Sequence, residues 1–312
     1  MRRIVGVGRP TVDRLIAVPH TPSFGAGMIV RSLGIFGGGP VATALVAARR
    51  LGWETALIAR VGEDETGQEI IRGLATDGVD TELIAVDPAA RGATSTILVD
   101  PAGARSILHD PGGQTDPVIA AEIEAAIRSS AGLMLERRTD AAMSAARIAR
   151  DAGIPVLLDA GGHDADILDL VALATIVIAS TYHAQKRRLT PEAAARELHD
   201  LGVETAIVTL GEDGAIAIAG NTTHHQPAFP VDVVDTTGAG DIYHGAFFVA
   251  YLEGMPLPES MRFAAMAAAL KCRQHGGRAG IPTRAELDRA ISSPPDPAGS
   301  GRGSRARRRR SD

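Results

Sequence analysis

From residue 131 onward, short apolar segments of the strand type alternate with segments of helical periodicity. Continuous apolar runs bounded by turn residues are typical of strands buried on both faces. Strands that alternate with helices favour a parallel sheet covered by helices on both sides. Aromatic residues are only 3% of the chain, which suits Ala-rich helices packed on such a sheet. The predicted fold class is therefore α/β, with a three-layer, mostly parallel central sheet. The predicted strands include 131–135, 154–159, 175–179 and 205–210, and the predicted helices include 140–152, 164–172 and 191–201.

Two stretches interrupt the alternation, residues 11–36 and 92–110. Both contain short apolar runs broken by Pro and Gly, a pattern that predicts small strands and turns. We expect both to be β-rich inserts in the α/β pattern. The domain prediction is one domain over 1–292 that includes these inserts, followed by a disordered tail at 293–312, because Pro, Gly, Ser and Arg cannot build a core.

Charge and composition exclude several classes of function. The chain has a net charge of −5, of which residues 293–312 contribute +4 through six Arg and two Asp, leaving −9 for the remainder. An acidic body predicts no nucleic-acid partner, although contact of Arg307–Arg310 with RNA is an alternative to a solvated tail. The single cysteine, Cys272, excludes an intrachain disulfide, and no apolar run is long enough to span a membrane. The expected location is cytoplasmic.

The segment Asp235-Thr-Thr-Gly-Ala-Gly-Asp241 carries the strongest functional signal. An apolar, strand-like stretch at 231–234 precedes it and a helical pattern follows it. The backbone N–H groups of a helix N-terminus have no partner inside the helix and bind anions, and glycines such as Gly238 and Gly240 let an anion come close. We therefore expect the amides of Gly238, Ala239 and Gly240 to bind a phosphate.

Asp241 is unusual in such a place because bound phosphate repels a carboxylate. A role that explains it is general base, accepting the proton of an attacking hydroxyl during phosphoryl transfer. The alternative is a tight turn in which Asp caps the helix. The ordered strand-turn-helix context favours phosphoryl transfer.

The segment from Val231 to Asp241 resembles the C-terminal signature of the ribokinase-like, or PfkB, carbohydrate kinases, and the resemblance extends from Ile4 to about Ala290. It implies an ATP-dependent enzyme that phosphorylates a primary hydroxyl of a sugar, with Asp241 as general base. It also implies that the inserts at 11–36 and 92–110 form a small β-sheet lid over the sugar and that two copies form a homodimer through this lid. A non-catalytic sugar-binding regulator on the same fold is the alternative class, although an intact Asp241 argues against it.

The resemblance places the sugar at Asp13, Gly38 and Gly39. Asp13 follows the first strand, where its carboxylate could accept hydrogen bonds from sugar hydroxyls, although a turn residue is the alternative. The segment Gly37-Gly38-Gly39-Pro40 resembles the N-terminal glycine signature of the family. The chain departs from the family at Ala42, where an Asn is common.

The same resemblance places ATP at Thr209, Gly211 and Gly214, in a turn that a plain hairpin would also explain. Ser180 and Lys271 complete the predicted nucleotide site. Mg²⁺ is expected to arrive with ATP, because it prefers phosphate oxygens and water, although the Glu that many relatives carry near this place is His183 here. Asp235 and Thr237 match positions that help hold a monovalent cation such as K⁺ in some relatives.

A narrower likeness is to the kinases of 6-deoxy-6-sulfofructose, from His225 to Asp235 and from Ala269 to Pro282. These kinases grip the sulfonate with an Arg, a Lys and an Asn. Their Arg matches Arg138, but the Lys and Asn places are Gly27 and His109. The planar guanidinium of Arg binds an anion through two parallel hydrogen bonds, and His109 could replace one of the two missing hydrogen-bond donors. Fructose, ribose, 2-keto-3-deoxygluconate, nucleosides and sugar phosphates remain open as substrates.

Overall fold

The computed structural model describes residues 2–101, 105–113, 115–161 and 167–292. The predicted tail at 293–312 lies outside these residues. The strands are β1 (Arg3–Val7), β2 (Thr11–Ala17), β3 (Arg31–Gly38), β4 (Glu54–Gly62), β5 (Ile84–Asp87), β6 (Thr94–Val99), β7 (Arg105–Asp110), β8 (Gly132–Leu135), β9 (Val156–Asp159), β10 (Ile176–Ser180), β11 (Thr205–Thr209), β12 (Ala215–Ala219) and β13 (Thr222–Gln226).

The main sheet has nine strands in the order β13-β12-β11-β10-β9-β8-β1-β4-β5. From β11 to β5 in this order, neighbouring strands are parallel to one another. Strands β12 and β13 add an antiparallel edge beside β11. Strands β8 and β9 are buried along their whole length, as their continuous apolar sequences predict. All the parallel strands end at one edge of the sheet, where α/β proteins bind their ligands.

Helices cover both faces of this sheet. One apolar core packs α1, α2, α8, α9 and α10 against it, and a second core packs α3, α4, α5, α6 and α7 on the opposite face. The fold class is therefore confirmed. The helices are α1 (Pro40–Arg50), α2 (Glu65–Thr76), α3 (Ala121–Arg128), α4 (Asp140–Asp151), α5 (Leu168–Val171), α6 (Thr181–Lys186), α7 (Pro191–Asp200), α8 (Ala239–Leu252), α9 (Leu257–Lys271) and α10 (Arg284–Ser292). None of these helices has the length and apolar character needed to cross a bilayer.

The two interrupting stretches form a separate small sheet in the order β3-β2-β6-β7. Strand β2 pairs antiparallel with β3 and parallel with β6, and β6 pairs antiparallel with β7. Each of the six residues of β7 is exposed, so one edge of this sheet faces solvent. The small sheet meets the main sheet where β1 leads into β2, directly beside the carboxyl edge of the parallel strands.

The sequence reading differs from the structure in several elements. Strand β13 has the polar sequence TTHHQ and a half-exposed edge position, so apolar periodicity could not reveal it. The stretch 231–234, expected to be a strand, belongs to neither sheet, because the Val234 and Asp235 amides donate to the Cys272 carbonyl at 2.8 and 3.1 Å. The helix predicted at 164–172 is a single turn, α5, within the described residues, and 162–166 lie outside them.

Candidate active site

The segment from Asp235 to Asp241 forms a compact loop that leads into α8. The Asp235 carboxylate organises it by accepting hydrogen bonds from the Thr237 amide and hydroxyl at 2.8 and 2.7 Å and from the Gly276 amide at 2.8 Å. Burial opposes ionisation of Asp235, but these donors outweigh it and lower its pKa. The loop is therefore held in one conformation by a charged, buried carboxylate.

Gly238 is the residue before the first turn of α8, and its backbone is left-handed, with φ +76°. A Cβ atom there would lie 2.8 Å from the Gly277 carbonyl oxygen. Both the left-handed backbone and the lack of space therefore require glycine. The Ala239 amide already donates to the Thr236 carbonyl at 3.2 Å. Of the three amides predicted to bind phosphate, that of Ala239 is therefore engaged inside the loop, whereas Gly240 lies open, with no atom within 4 Å of its Cβ position.

Asp241 stands in the first turn of α8 beside two other titratable groups. Its carboxylate, that of Asp159 and the imidazole of His244 each place a ligand atom within 4.8 Å of the others. His244 Nδ1 lies 3.2 Å from Asp159 Oδ2. Burial and the charge of Asp159 raise the pKa of Asp241 to about 7, although His244 opposes this. A carboxylate with such a pKa is well suited to accept a proton near neutral pH.

Asp13, on β2, faces the same region from the small sheet. It is 8% exposed and accepts a hydrogen bond from the Thr11 hydroxyl at 2.7 Å. A Cβ on Gly38 would lie 2.1 Å from Asp13 Oδ2, so only glycine admits this carboxylate. Burial raises the pKa of Asp13, and Asp13 in turn contributes to the raised pKa of Asp241. The two carboxylates therefore belong to one site.

The glycine turn that follows β3 is fixed by buried polar contacts. Gly39 has φ +91°, and a Cβ there would lie 2.4 Å from the Arg9 carbonyl oxygen. The Arg278 guanidinium, 6% exposed, donates to the Gly38 carbonyl at 2.8 Å. Gly39 thus needs glycine for its backbone conformation and for space, and Gly38 needs it because Asp13 occupies the place of a Cβ.

Sequence reasoning missed Glu136, which follows β8. Its carboxylate accepts hydrogen bonds from the Arg9 amide at 2.7 Å and the Val41 amide at 2.9 Å. Burial nevertheless raises its pKa to about 7, with help from Asp159. Glu136 and Asp159 each lie at the carboxyl end of a parallel strand, and that position is the signal that could have found them.

A cleft of about 670 Å³ opens on the other side of the Asp235–Asp241 loop. Its size suits a nucleotide. Three of the residues predicted to bind ATP line it, together with three from the loop: Thr209, Gly211, Gly214, Thr236, Ala239 and Gly240. Its apolar wall includes Phe229, Tyr243 and Ala265.

Arg105 also lines this cleft, although it belongs to β7 of the small sheet. Its guanidinium donates to the Thr237 hydroxyl at 3.3 Å. The small sheet therefore contacts the Asp235–Asp241 loop directly. Nothing in the sequence pattern singled out Arg105, because the contact joins residues 132 positions apart.

Two other residues predicted to bind ATP lie elsewhere. Ser180 ends β10 next to Thr209, with which it pairs in register, but it is not part of the cleft wall. Lys271 is fully buried, and its ammonium donates to the Asp235 carbonyl at 2.8 Å. The structure thus places Lys271 beneath the loop rather than in the cleft.

The residues predicted to hold a sulfonate do not come together. Arg138 pairs with Asp169 at the surface, with Nη2 2.9 Å from Oδ2, and Gly27 is exposed with no atom within 4 Å of its Cβ position. His109 does reach the sugar side, because its Nδ1 lies 3.3 Å from the hydroxyl of Ser95, and Ser95 on β6 pairs with Asp13 on β2.

Two arginines outside the predicted sulfonate set, Arg9 and Arg137, lie near enough to His109 to act on its charge. Partial desolvation and the charges of Arg9 and Arg137 lower the pKa of His109. Arg9 and Arg137 also line one small pocket at the carboxyl ends of β1 and β8. Arg9 and Arg137 thus place positive charge near His109, and Arg137 also acts on Glu136.

Comparison with known proteins assigns this arrangement to a family. Residues 1–284 match the family model for the pfkB family carbohydrate kinases. The chain belongs to this family. It is 30% identical over 300 residues to a ribokinase of Haemophilus influenzae, covering 92% of this chain and 97% of that one. It is 29% identical over 282 residues to an ATP-dependent ribose-1-phosphate kinase of Halopiger xanaduensis, covering 89% and 94%.

Among solved structures, an Arabidopsis thaliana ribokinase complexed with ribose and ATP superposes with a TM-score of 0.83 at 26% identity, covering 93% of this chain and 98% of that one. The pfkB membership confirms the ribokinase-like family predicted from the sequence. The kinase is therefore an ATP-dependent phosphotransferase that acts on a sugar hydroxyl.

Proposed function

We propose that the kinase transfers the γ-phosphate of ATP to a primary hydroxyl of a sugar, with Asp241 as the general base. The observation that carries this proposal is the position of Asp241: it directly follows Gly240 of the cleft wall, and burial, with the charges of Asp159, Glu136 and Asp13, raises the pKa of its carboxylate to about 7. The sugar lies on the side of Asp13, and the nucleotide occupies the cleft that Gly240 lines.

In this reaction the hydroxyl oxygen forms a bond to the γ-phosphorus while the bond between that phosphorus and the β–γ bridging oxygen breaks. The hydroxyl proton passes to the Asp241 carboxylate, and ADP leaves. The Gly238 and Gly240 amides stabilise charge on the transferred phosphoryl group. Asp13 and Glu136 accept hydrogen bonds from the sugar and orient it.

ATP would bring Mg²⁺, and the described residues fit this ion. Mg²⁺ takes phosphate oxygens, water and one or two carboxylates. Asp159, whose carboxylate lies within 4.8 Å of that of Asp241, is the residue that would hold it or one of its waters. When bound, the ion neutralises charge on the phosphates.

The substrate that we propose is a sugar with an anionic substituent, such as 6-deoxy-6-sulfofructose. Arg9 and Arg137 support this proposal, since the charges of both act on His109 beside Asp13, and His109, whose pKa is lowered, would serve as a neutral hydrogen-bond donor. Arg9 and Arg137 would bind the anion in place of Arg138 and Gly27 of the predicted sulfonate site, because Arg138 pairs with Asp169. A neutral sugar such as fructose or ribose is the alternative, and the arginines would then serve only to orient Glu136.

We propose further that the kinase is a homodimer in which the small sheet pairs with that of a second copy. Large apolar side chains on the small sheet and its loop support this, because they are exposed in the monomer. They are Phe24, Ile29, Ile35, Ile107 and Leu108.

A coupled ADP-release assay tests the function with sulfofructose, fructose, fructose phosphates, ribose and 2-keto-3-deoxygluconate. We expect sugar-dependent turnover in the wild type and its loss in Asp241→Asn, with the exposed Asp232→Asn as the matched control. Sugar binding with no ADP release from any member of the panel would favour the regulator instead. Near wild-type turnover of Asp241→Asn would remove Asp241 from the role of base.

A further inference from the structure

Lys271, the last residue of α9, is an unusual buried cation. It is one of two lysines in the chain, the other being Lys186, whereas arginines supply the remaining basic residues. Its side chain has no exposed surface. A fully buried ammonium is costly unless polar groups surround it, so its position requires a specific partner.

That partner is Asp235. The Lys271 ammonium donates to the Asp235 backbone carbonyl at 2.8 Å and lies 4.0 Å from Asp235 Oδ2. Burial lowers the pKa of Lys271, and the charge of Asp235 opposes this. The ammonium therefore faces both a carbonyl oxygen and a carboxylate oxygen of the residue that begins the phosphate-binding loop.

The contact between Lys271 and Asp235 fixes the start of the Asp235–Asp241 loop, which is the proposed phosphate-binding loop. The same Asp235 carboxylate holds the Thr237 amide and hydroxyl, and the Asp235 amide donates to the carbonyl of Cys272, the residue after Lys271. The end of α9 and the start of the loop are thus joined by a carbonyl, a carboxylate and one positive charge. The loop then continues directly to Gly238 and Asp241.

These residues do not fit a free monovalent cation. Such an ion needs several oxygen ligands, and the two oxygens that Asp235 offers here already face the Lys271 ammonium. An ammonium has the charge of K⁺, is compact, and bonds to the same kind of oxygen. Arginine could not substitute, because its guanidinium is planar and larger.

We propose that Lys271 is a built-in monovalent cation that positions the phosphate-binding loop, so that the kinase works without K⁺ or Na⁺. The proposal rests on the function proposed for this loop. Lys271 is a positioning residue, since it acts on the phosphate through the loop and touches neither substrate.

The first test is the cation dependence of the wild type. Turnover is measured in choline chloride, KCl, NaCl and NH₄Cl at constant ionic strength, with the substrate that the panel identifies. We expect rates that agree within about twofold, below the smallest typical coupling between two ligands. Activation of the wild type by K⁺ of about fivefold or more would overturn the proposal without any variant.

The second test is cation rescue of Lys271→Met, with Lys186→Ala as the control. In choline chloride we expect the Lys271→Met variant to lose about tenfold in kcat/KM and to regain it in KCl or NH₄Cl. Its thermal midpoint should rise with KCl in the absence of substrate, whereas those of the wild type and Lys186→Ala should not. A folded Lys271→Met variant whose activity and thermal midpoint both stay unchanged when K⁺ is added would overturn the proposal.

The midpoint also separates this proposal from the proposed function. If no sugar in the panel is phosphorylated, the function fails, but K⁺ still raises the midpoint of Lys271→Met when the cation proposal holds. If Lys271→Met does not fold in choline chloride, refolding in KCl but not in choline chloride supports the proposal, and failure in both overturns it.

Discussion

Replacing the carboxylate of Asp241 by an amide should make the kinase inactive and, at the same time, more stable. Burial and the charge of Asp159 raise the pKa of Asp241 from 3.8 to about 7, so the folded protein binds this proton more tightly than the unfolded chain does. Ionising Asp241 therefore destabilises the native state. The cost is absent below the unfolded pKa of 3.8, grows as the pH rises, and is complete above the folded pKa of about 7.

The magnitude follows from the two pKa values. At 1.36 kcal/mol for each pKa unit, the raised pKa of Asp241 costs about 4 kcal/mol near pH 8, where the carboxyl is ionised in both states, and about 2 kcal/mol near pH 5, where the folded protein keeps a proton that the unfolded chain has released. Asn has nearly the same volume as Asp and no charge to desolvate. We therefore expect Asp241→Asn to raise the free energy of unfolding by up to these amounts, with the larger gain at the higher pH.

Urea unfolding of the wild type, Asp241→Asn and Asp232→Asn over this pH range measures the effect. The exposed Asp232 should show no gain at either end. In the same preparations kcat should fall by about 10²–10⁴ in Asp241→Asn, the usual contribution of a general base. A stability gain that does not change with pH, or a loss of stability, would refute the assignment of a buried, proton-accepting carboxylate.

Three further substitutions test other parts of the site. Arg137→Ala should raise KM for an anionic sugar by about tenfold, as loss of a charged hydrogen bond does, and leave KM for a neutral sugar unchanged. The control Arg138→Ala should change neither KM. Equal effects of the two substitutions would contradict the proposed contact between Arg137 and the anion. Gly238→Ala places a Cβ 2.8 Å from a carbonyl oxygen at φ +76°, so urea unfolding should show a loss of about 1–2 kcal/mol or more, against no loss for Gly73→Ala, whose site is open. Ile107→Lys should convert a dimer to a monomer in size-exclusion chromatography with light scattering, and an unchanged mass would place the dimer contact elsewhere.

The sequence predicted the parts of this molecule that depend on local pattern. Apolar runs bounded by turns predicted strands β8 to β11, and the glycine spacing of Asp235–Asp241 predicted a helix N-terminus, because both signals come from neighbouring residues. The fold class followed from the order of these elements. The family resemblance then supplied Asp13 and Gly38, which the structure brings into one contact.

Features that depend on distant contacts could not be predicted in this way. Glu136 and Asp159 are single acidic residues in the sequence, and only the parallel order of β8 and β9 brings them to one edge. The family resemblance predicted Lys271 as part of the nucleotide site. Its burial, which assigns it to Asp235 instead, results from the packing of α9 and leaves no trace in the spacing.

The same packing limits how a pH profile of this kinase can be interpreted. Asp13, Glu136, Asp159 and Asp241 surround one small volume, and the charge of Asp159 helps to raise the pKa of both Glu136 and Asp241 to about 7. Groups that interact this strongly release their protons in steps that belong to the cluster. The acidic limb of kcat/KM, expected near pH 7 because the base must be ionised, therefore reports Glu136 and Asp241 together. Only its comparison with the stability difference between Asp241→Asn and the wild type assigns one of those steps to Asp241.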